Sequence, residues 1–407
     1  MKDLLRDSRV RRLLVANTLG SIGSGITIFA VPWLLVHRDG GNAAFRWTTI
    51  ATTLVLLLVS PYYGAWLDRH SRQTALLASE LWGFTAMAAM ALLGLALGGF
   101  GMGQLMAIYF AGMLYYSLHY PAKFAFVQQI FAPSQYQALT GLLEIQGQTA
   151  LMIAGGVGGL LVDYVPLWVI LLFDAATYLT SFLIQRTLPY QASHLTSHHT
   201  AARPGIWRGV VEGLRWLGKR PRLAIFFTCT MIPFVVVMSG NYLFPIYVSQ
   251  TLHAGAGTFA AGEIAFAVGS ILAGFMLPQL LGRYSAAVTI PGTMLVFLAG
   301  LACIFILRFP AAFVLAGTLL GFGNAGSRVA RSALLLRLVP NDVMGRVSSF
   351  YQILDRLLRT VLVMSMAVID TQGPPAGYAL LTVVFVIALC GVLQTRDAAR
   401  PRPIVPA

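Results

Sequence analysis

The chain has 407 residues, of which 57% are hydrophobic and only 10% are charged, and its formal net charge is +14. A soluble domain carries about 25% charged residues, so this composition excludes a water-soluble enzyme or binding module and predicts a membrane protein. The three cysteines are dispersed among separate apolar runs, which excludes a disulfide framework or a cysteine metal site.

The apolar residues form about twelve runs of roughly 20 residues, separated by short polar breaks. A helix of ~20 residues crosses the ~30 Å hydrocarbon core of a bilayer. Lipid offers the backbone no hydrogen-bond partners, so spanning segments are helices or closed barrels, and the run at 286–307 lacks the alternation of a barrel strand. The first run is too long for a signal peptide and is predicted to be the first membrane helix. We place the spans at residues 13–36, 47–67, 75–97, 104–126, 139–163, 167–185, 223–248, 259–281, 287–307, 311–335, 347–370 and 377–394.

Positive charge is distributed unevenly between the loops. With the N-terminus in the cytoplasm, only Arg38, Arg46 and Arg308 fall on loops of the opposite side, and most other Lys and Arg fall on cytoplasmic segments. Basic residues favour the cytoplasmic side of a membrane protein, so we expect both termini in the cytoplasm. The net charge is therefore a topology signal, and no nucleic-acid partner is predicted.

A long polar segment at 186–222 divides the spans into six and six, giving predicted bundles at 1–185 and 223–407. Within this segment apolar residues recur at helical spacing from Trp207 to Leu217, which predicts an amphipathic helix in the headgroup region; a solvated linker is the alternative. The two halves also repeat short motifs. APSQ precedes the fifth span and VPND the eleventh, while HSR follows the second span and LGR the eighth, at nearly the same separation. Paired bundles of this kind place a substrate site at the membrane midplane.

Several motifs resemble those of a known family. Residues 64–72 read GAWLDRHSR and resemble the loop motif Gly-x-x-x-Asp-Arg-x-Gly-Arg of the major facilitator superfamily, with Ser71 in place of the second glycine. Residues 154–159 read AGGVGG and are similar to the Gly-Pro-x-x-Gly-Gly motif of its antiporters, without the proline. Four further segments resemble those of the branch of siderophore and macrolide-type drug exporters. They are AVPWL at 30–34, FDAATYL at 173–179, EGLRWL at 212–217 and MGRVSS at 344–349.

The resemblance implies an all-α polytopic membrane protein with 12 transmembrane helices in two pseudo-symmetric six-helix halves. It further implies a monomer that exports a small amphipathic or anionic solute, siderophore- or drug-like, across a bacterial inner membrane by alternating access in antiport with protons. The loop motif would form a conformational latch in which Asp68 pairs with a neighbouring arginine or caps a helix; an ordinary solvated loop is the alternative. The latch residues are Gly64, Asp68, Arg69 and Arg72.

Ionisable and polar residues inside the spans are the candidates for substrate binding, because such groups are costly in lipid unless they are paired or functional. Their excess of cations predicts a cavity for an anionic or carboxylate-bearing solute. Alternatively, Arg328 and Arg331 snorkel to the interface and Asp355 neutralises one arginine through its i,i+4 spacing with Arg359. The asparagines line the same cavity or act as polar contacts between helices. The candidates are Asn17, His119, Tyr120, Lys123, Asn241, Asn324, Arg328, Arg331, Arg356 and Arg359.

Proton coupling requires a carboxylate or histidine whose protonation responds to its surroundings. The carboxylate candidates within the spans are Glu144, Asp174, Glu263 and Asp355, and His119 in the fourth span is the histidine candidate. Asp174 lies in a family motif, so a structural hydrogen-bonding role is equally expected. Glu80 and Asp163 lie near span ends and are expected to be solvated. The small residues at 269–274 are expected to form a smooth surface facing the fifth span of the other half.

Other functions are excluded or weakened by what the sequence contains. The Gly-x-Gly-x-x-Gly pattern at 321–326 lies in an apolar span without a preceding strand, so it does not predict dinucleotide binding. His194, His198 and His199 lack supporting ligands, no phosphate-binding loop is present, and neither a cofactor nor a metal is predicted. An intramembrane enzyme would need a clustered catalytic set, so the chain is not expected to be an enzyme.

Two alternatives to solute export remain open. The YPAK motif at 120–123 resembles lysophospholipid transporters and, with the interfacial helix, favours a lipid flippase that needs no protons. A non-transporting membrane receptor or sensor is the other alternative, although the sequence has no sizeable soluble domain. The expected partners are therefore a small-molecule substrate, protons and membrane lipid.

Overall fold

The structure is a computed structural model that describes residues 5–132, 135–190, 206–339, 341–369 and 374–399. The chain divides into two compact units, Met1–Ala202 and Arg203–Ala407. Unit 1 contains the helices α1 (Ser8–Val36), α2 (Gly41–Arg69), α3 (Arg72–Ala96), α4 (Met102–Ile130), α5 (Tyr136–Leu161) and α6 (Leu167–Arg186). Unit 2 contains α7 (Ile206–Gly218), α8 (Pro221–Gly240), α9 (Leu243–Gln250), α10 (Ala256–Arg283), α11 (Ala286–Ile306), α12 (Pro310–Leu338), α13 (Asn341–Ile369) and α14 (Pro374–Thr395).

Twelve of the described helices have 20 residues or more, six in each unit, and each overlaps one predicted span. Eight of them are apolar and long enough to cross a membrane by length and composition alone. The others carry more polar residues, as in α13, where Asp355, Arg356 and Arg359 interrupt the apolar sequence. The predicted twelve-helix, all-α architecture is thus confirmed.

The seventh span, predicted as one helix over 223–248, is divided in the structure. The helix α8 ends at Gly240, and α9 begins at Leu243 after a turn in which the Tyr242 amide donates to the Ser239 carbonyl at 3.3 Å. Pro245 lies in the first turn of α9 and has no amide proton, so it cannot bond the Asn241 carbonyl and disfavours a continuous helix. Hydropathy alone cannot detect this break, because both pieces are apolar.

Capping residues at the ends of α1 and α3 explain where these helices begin. The Asp7 carboxylate accepts from the Arg9 amide at 2.8 Å, and the Arg9 side chain reaches Ile130 O at 3.1 Å, joining the start of α1 to the end of α4. The Ser71 hydroxyl accepts from the Thr74 amide at 3.3 Å at the start of α3. The residue that departs from the family glycine is thus an N-cap, a position at which serine is favoured.

The helices pack in equivalent pairs in the two units. In unit 1, α1 contacts α5 and α6, and α3 contacts α4 and α6. In unit 2, α8 contacts α13 and α14, and α11 contacts α12 and α14. Counting only membrane-length helices, these are the same ordinal pairs, so each unit repeats one packing plan, as the repeated sequence motifs predicted.

The closest helix contact in unit 2 is between α10 and α12. A Cβ added to Gly321 would lie 1.9 Å from the Phe266 carbonyl oxygen, and one added to Gly269 would lie 2.0 Å from the Thr318 carbonyl oxygen. The Ser270 hydroxyl also donates to the Gly321 carbonyl at 3.2 Å. Small residues allow this approach of two backbones. The expectation that residues 269–274 face the other half is therefore wrong for Gly269 and Ser270, which contact α12 of their own unit.

The Gly-x-Gly-x-x-Gly pattern serves helix packing. Gly321 faces α10, whereas a Cβ on Gly323 or Gly326 would lie 2.6 Å from side-chain atoms of Phe297 or Thr293 on α11. The three glycines therefore let α12 approach two neighbouring helices. This geometry explains the motif without a nucleotide.

The helix α7 lies within the polar segment and packs against α13 and α8. Leu217 is 1% exposed, whereas Val211 and Leu214 are 48% and 51% exposed. The apolar side of α7 is thus divided between a buried edge and an edge left open. The location of this open edge in the lipid headgroup region remains a prediction.

Candidate functional site

Unit 1 contains a buried group of polar side chains contributed by α3, α4 and α6. Residues four apart share one face of a helix, so Ser181 and Gln185 of α6 point toward the same neighbour. That neighbour is α3, with which α6 packs. We define the Glu80 cluster as Ser79, Glu80, Tyr115, His119, Ser181 and Gln185.

The Glu80 carboxylate accepts hydrogen bonds at both oxygens. Oε1 receives the Ser181 hydroxyl at 2.6 Å and the Gln185 amide nitrogen at 2.9 Å, and Oε2 receives the Tyr115 hydroxyl at 3.4 Å. Glu80, Ser181 and Gln185 are each 0% exposed. Neutral donors therefore hold the carboxylate, and His119 lies next to them with its Nδ1 3.5 Å from Oε1.

The hydrogen bonds of Ser79 determine which nitrogen of His119 carries a proton. Ser79 has one hydroxyl proton, which it donates to the Leu76 carbonyl at 2.6 Å. Its oxygen also lies 3.2 Å from His119 Nδ1, so Nδ1 must be the donor in that contact. The ring of Tyr115 stacks on the imidazole with centroids 5.0 Å apart. His119 thus directs Nδ1–H toward Ser79 and Glu80, and its Nε2 lies on the other side of the ring.

The burial of Glu80 contradicts the expectation that it is solvated. The helix α3 begins at Arg72, so Glu80 lies about 12 Å inside it at 1.5 Å per residue. The helix α6 continues to Arg186 and covers this level with Ser181 and Gln185. The sequence signal that would have identified Glu80 is the spacing of the polar residues on α6, which line one face of an otherwise apolar helix.

The fourth-span candidates lie beside the Glu80 cluster. The Lys123 ammonium is 5.2 Å from the centre of the Tyr120 ring and 5.7 Å from that of Phe124. Lys123 also interacts electrostatically with Glu80 and His119. The structure therefore brings His119, Tyr120 and Lys123 together, as their spacing on one helix predicted.

Asp174 forms a second buried acidic position on the same face of α6. Its Oδ2 accepts the Thr27 hydroxyl of α1 at 2.6 Å. Its Oδ1 has no hydrogen-bond partner among the described residues, and a Cβ on Gly23 would lie 2.7 Å from it. Asp174 thus joins α6 to α1 through one hydrogen bond and a close glycine contact, which is the structural role weighed for it.

Unit 2 contains a group of charged residues on α12 and α13, which we call the basic cluster: Arg328, Arg331, Asp355, Arg356 and Arg359. Asp355 and Arg359 form the i,i+4 ion pair that their spacing predicted. The Arg359 guanidinium also lies 5.7 Å from the centre of the Phe234 ring on α8. Arg331 interacts electrostatically with Arg328 and Asp355. Buried Nε atoms of Arg331 and Arg359 have no hydrogen-bond partner within the part of the chain that the structure describes.

The asparagine candidates differ in their surroundings. Asn17 is 2% exposed, and neither atom of its amide has a partner among the described residues. Two contacts fix the register between α1 and α5: Gly25 lies against Ala154, and Phe29 lies against Gly158. Two turns closer to the N-terminus of both helices, the same register places Gln146 of α5 at the level of Asn17.

The amide of Gln146 has no partner in the described residues either. Sequence reasoning missed Gln146, although it is an amide within an apolar run. Asn324 is 5% exposed, and its Oδ1 has no hydrogen-bond partner among the described residues. Asn241 is exposed at the break between α8 and α9.

Several other candidates are only partly described. The surroundings of Gly64 and the side chains of Asp68, Arg69 and Glu144 are not described, and His194, His198 and His199 lie outside the described residues. Arg72 donates to the Ala125 carbonyl at 3.0 Å, within unit 1. Glu263 is half-buried on α10 and interacts electrostatically with Tyr378. Within the described residues, no group of three or more His, Cys, Asp or Glu is arranged to hold a metal ion.

A comparison with known families identifies the family to which the chain belongs. The family model described as "Major Facilitator Superfamily" matches residues 13–363. The chain is a member of the Major Facilitator Superfamily. Its fold is that of a multi-pass membrane protein, and the predicted family is thereby confirmed.

Curated relatives of this superfamily member include efflux pumps. The multidrug efflux pump Tap of Mycobacterium tuberculosis is 23% identical over 272 residues, which cover 63% of this chain and 64% of the pump. Tap of Mycolicibacterium fortuitum is 24% identical over 246 residues, 58% of each chain. The match thus spans less than two thirds of the length of these relatives.

Solved structures of other superfamily members share the fold over nearly the whole chain. A bacterial homologue of the iron transporter ferroportin has a TM-score of 0.70 at 14% identity, covering 96% of this chain and 98% of that chain. A bacterial homologue of the human lysosomal transporter Spinster has a TM-score of 0.70 at 12% identity, covering 98% and 99%. At these identities the comparison establishes the major-facilitator fold.

Proposed function

We propose that this transporter exports a small amphipathic solute that carries an anionic group, siderophore- or drug-like, in exchange for protons. It acts as a monomer in a bacterial inner membrane, with both termini in the cytoplasm and no enzymatic activity. The observation that carries the proposal is the basic cluster of unit 2, in which four arginines accompany a single carboxylate on α12 and α13.

The charge balance of the basic cluster favours an anionic ligand. Asp355 forms an ion pair with Arg359, and the four arginines of the cluster outnumber this one carboxylate, so the cluster has an excess of positive charge. An arginine within a membrane span is costly unless it meets an anion or water. Guanidinium groups bind carboxylates through strong charge-assisted hydrogen bonds. A carboxylate-bearing solute would therefore lower the free energy of this region.

The surroundings of the cluster favour an amphipathic ligand. Phe234 lies beneath Arg359, and Tyr351 lies one turn before Asp355 on α13 with its ring against Phe227. Aromatic rings next to guanidinium groups suit a solute with an apolar body and a charged end. The efflux activity named for the mycobacterial relatives supports the outward direction of transport.

The proton-coupling part of the proposal is supported by carboxyl groups within the spans. Asp174 is fully buried, Glu263 is half-buried, and Asp355 is paired. Glu144 is retained as a candidate from its place in the sequence. A carboxyl group removed from water changes its protonation readily when its surroundings change, which is what exchange of a solute for a proton requires.

The test is transport by the purified protein in liposomes, with norfloxacin, a fluorescent amphipathic carboxylate, as the probe. We expect accumulation driven by a pH gradient. Replacing Arg356 by Gln removes a charge-assisted contact worth about 1.5–3 kcal/mol, so binding should weaken by roughly 10–100-fold. Arg308→Gln, which changes an exposed arginine in the loop after α11, is the matched control and should transport normally.

Two outcomes would contradict this proposal. Equal binding by the Arg356 and Arg308 variants would remove the basic cluster as the substrate site. Movement of a headgroup-labelled lysophospholipid without a pH gradient, together with no transport of the norfloxacin probe, would favour the lipid flippase instead.

A further inference from the structure

We propose that Glu80 is the proton-carrying group of this transporter and that His119 passes protons between Glu80 and water. The inference rests on the proposed proton-coupled export and specifies its proton-binding residue. Glu80 is not among the four carboxylate candidates named from the sequence. It is carried by the geometry of the Glu80 cluster.

The first argument is that the groups that donate hydrogen bonds to Glu80 carry no charge. Its direct hydrogen-bond donors, Ser181, Gln185 and Tyr115, are neutral, and the described residues place no arginine in contact with it. An ionised carboxylate shielded from water is strongly disfavoured unless a cation compensates it. Lys123 interacts with Glu80 electrostatically, and a protonated His119 would face it at 3.5 Å, so the charge at this position changes with a proton held by Glu80 or by His119.

The second argument is the position of His119 between Glu80 and the accessible space. The side chain of Glu80 is 1% exposed and that of His119 is 12% exposed, with Nδ1 3.5 Å from the carboxylate. A proton taken up at Nε2 allows the imidazolium to release the proton on Nδ1 to Oε1 of Glu80. The N–H bond at Nδ1 breaks as the O–H bond at Oε1 forms, so Glu80 becomes the neutral acid and the ring returns to neutral as the Nε2–H tautomer. The reverse steps release the proton.

The third argument is that the partners of Glu80 suit both of its protonation states. The Ser181 hydroxyl donates to Glu80 and accepts from the Gln185 amide at 2.9 Å. A hydroxyl and an amide can each donate or accept after rotation. The Gln185 Oε1 atom is buried and has no partner among the described residues, so an acceptor is present in the cluster when Glu80 becomes a donor.

Other titratable groups also face Glu80. Lys123 on α4 and Asp174 on α6 both interact electrostatically with it. The rings of Tyr115 on α4 and Tyr178 on α6 meet at an interplanar angle of 58°, with their centroids 4.4 Å apart. From α1, Gly20 faces Tyr115 and Ser181. In this proposal the more acidic exterior protonates Glu80, and the less acidic cytoplasm removes the proton.

The test combines a measurement that needs no substrate with one that does. Infrared difference spectra after a pH jump report the C=O stretch of a buried carboxyl group in the purified protein in liposomes. Norfloxacin transport is measured as accumulation driven by a pH gradient and as gradient-free exchange. The variants are Glu80→Gln, Glu80→Asp and His119→Gln. Asp163→Asn, which changes an exposed carboxyl group in the loop after α5, is the control.

We expect Glu80→Gln to lose one carboxyl band and the accumulation, which is about tenfold for about one pH unit, while exchange continues. Glu80→Asp should restore a shifted band, showing that loss follows the carboxyl group and not the fold. His119→Gln should keep the band but titrate more slowly after the jump. Asp163→Asn should match the unmodified protein.

The opposing outcomes separate the two proposals. An unchanged band or unchanged gradient-driven accumulation in Glu80→Gln overturns the role of Glu80 while leaving proton-coupled export intact. Loss of exchange together with accumulation in a folded Glu80→Gln protein also overturns it, because the residue would then serve transport in general. If the unmodified protein shows no gradient-driven transport, the proposed function fails, and the infrared band alone cannot rescue it.

Discussion

The hydrogen bond from Thr27 to Asp174 shows how this protein tolerates a carboxyl group inside a membrane span. It is 2.6 Å long, it joins α1 to α6, and it is the hydrogen bond that reaches Asp174 Oδ2 from another helix. Because both residues are buried, water cannot replace the donor if the hydroxyl is removed. The cost of losing it falls on the carboxyl group.

Replacement of Thr27 by Val tests this cost at constant side-chain shape. Removing the donor should take from Asp174 its hydrogen bond to α1 and destabilise the protein by about 1–3 kcal/mol, measured as a lower thermal unfolding midpoint in detergent. Thr180→Val is the control, because the exposed Thr180 bonds only its own helix at Ala176. Equal midpoints for the two variants would show that Asp174 does not depend on Thr27.

Sequence reasoning was more successful for pairs within one helix than for partners on different helices. The Asp355–Arg359 pair follows from i,i+4 spacing, and the structure forms it. The burial of Glu80 does not follow from α3 alone, because it depends on how far α6 extends and which of its faces turns toward α3. Polar spacing within one helix predicts a face, but the partner of that face is determined by tertiary packing.

At the scale of helices, the contact between α10 and α12 has no side chains between the two backbones at Gly269 and Gly321. Glycine is otherwise unfavourable inside a helix, so its presence here is offset by the close approach it allows. Mean hydropathy does not distinguish these glycines from the rest of the apolar run in which they lie. Only the paired positions on two helices reveal their role.

Replacement of Gly321 by Ala should force α10 and α12 apart, because the new methyl carbon would lie 1.9 Å from the Phe266 carbonyl. Overpacking costs about 1–3 kcal/mol and occasionally more, so we expect a lower yield of folded protein and a lower unfolding midpoint. Gly292→Ala on α11 has no atom within 4 Å of the new carbon and should be neutral or slightly stabilising. A Gly321→Ala protein as stable as Gly292→Ala would refute the contact.

The helix ends were predicted less accurately than the helices themselves. The helix α4 continues to Ile130 and α12 to Leu338, beyond the apolar runs assigned to them. Hydropathy marks the part of a helix that lipid surrounds, whereas the helix continues wherever backbone hydrogen bonds and caps support it. The capping residues Asp7 and Ser71 therefore carry boundary information that mean hydropathy does not.

For the whole molecule, the orientation in the membrane is the prediction on which the proton argument depends. The uneven distribution of Lys and Arg places the loop after α5 outside and the segment before α8 inside. Both regions offer exposed positions for labelling. Tyr164 is 86% exposed, and Lys219 is exposed at the end of α7.

Single cysteines at Tyr164 and Lys219 should be labelled from opposite sides of the membrane. In a background where Cys229, Cys303 and Cys390 are replaced, a membrane-impermeant maleimide added to intact cells should modify the cysteine at position 164. The cysteine at position 219 should react only after the membrane is opened. The reverse pattern would invert the orientation and with it the direction of proton loading.

The turn between α8 and α9 has a consequence for where water enters the protein. Since Pro245 offers no amide proton, the Asn241 carbonyl lacks the usual α-helical donor and needs another partner. Hydrocarbon cannot provide that partner, so irregular backbone at membrane depth is found where it is buried in protein or borders an aqueous space. Asn241 is exposed, which favours the aqueous alternative. We therefore expect water, and not lipid, at the interruption of this span.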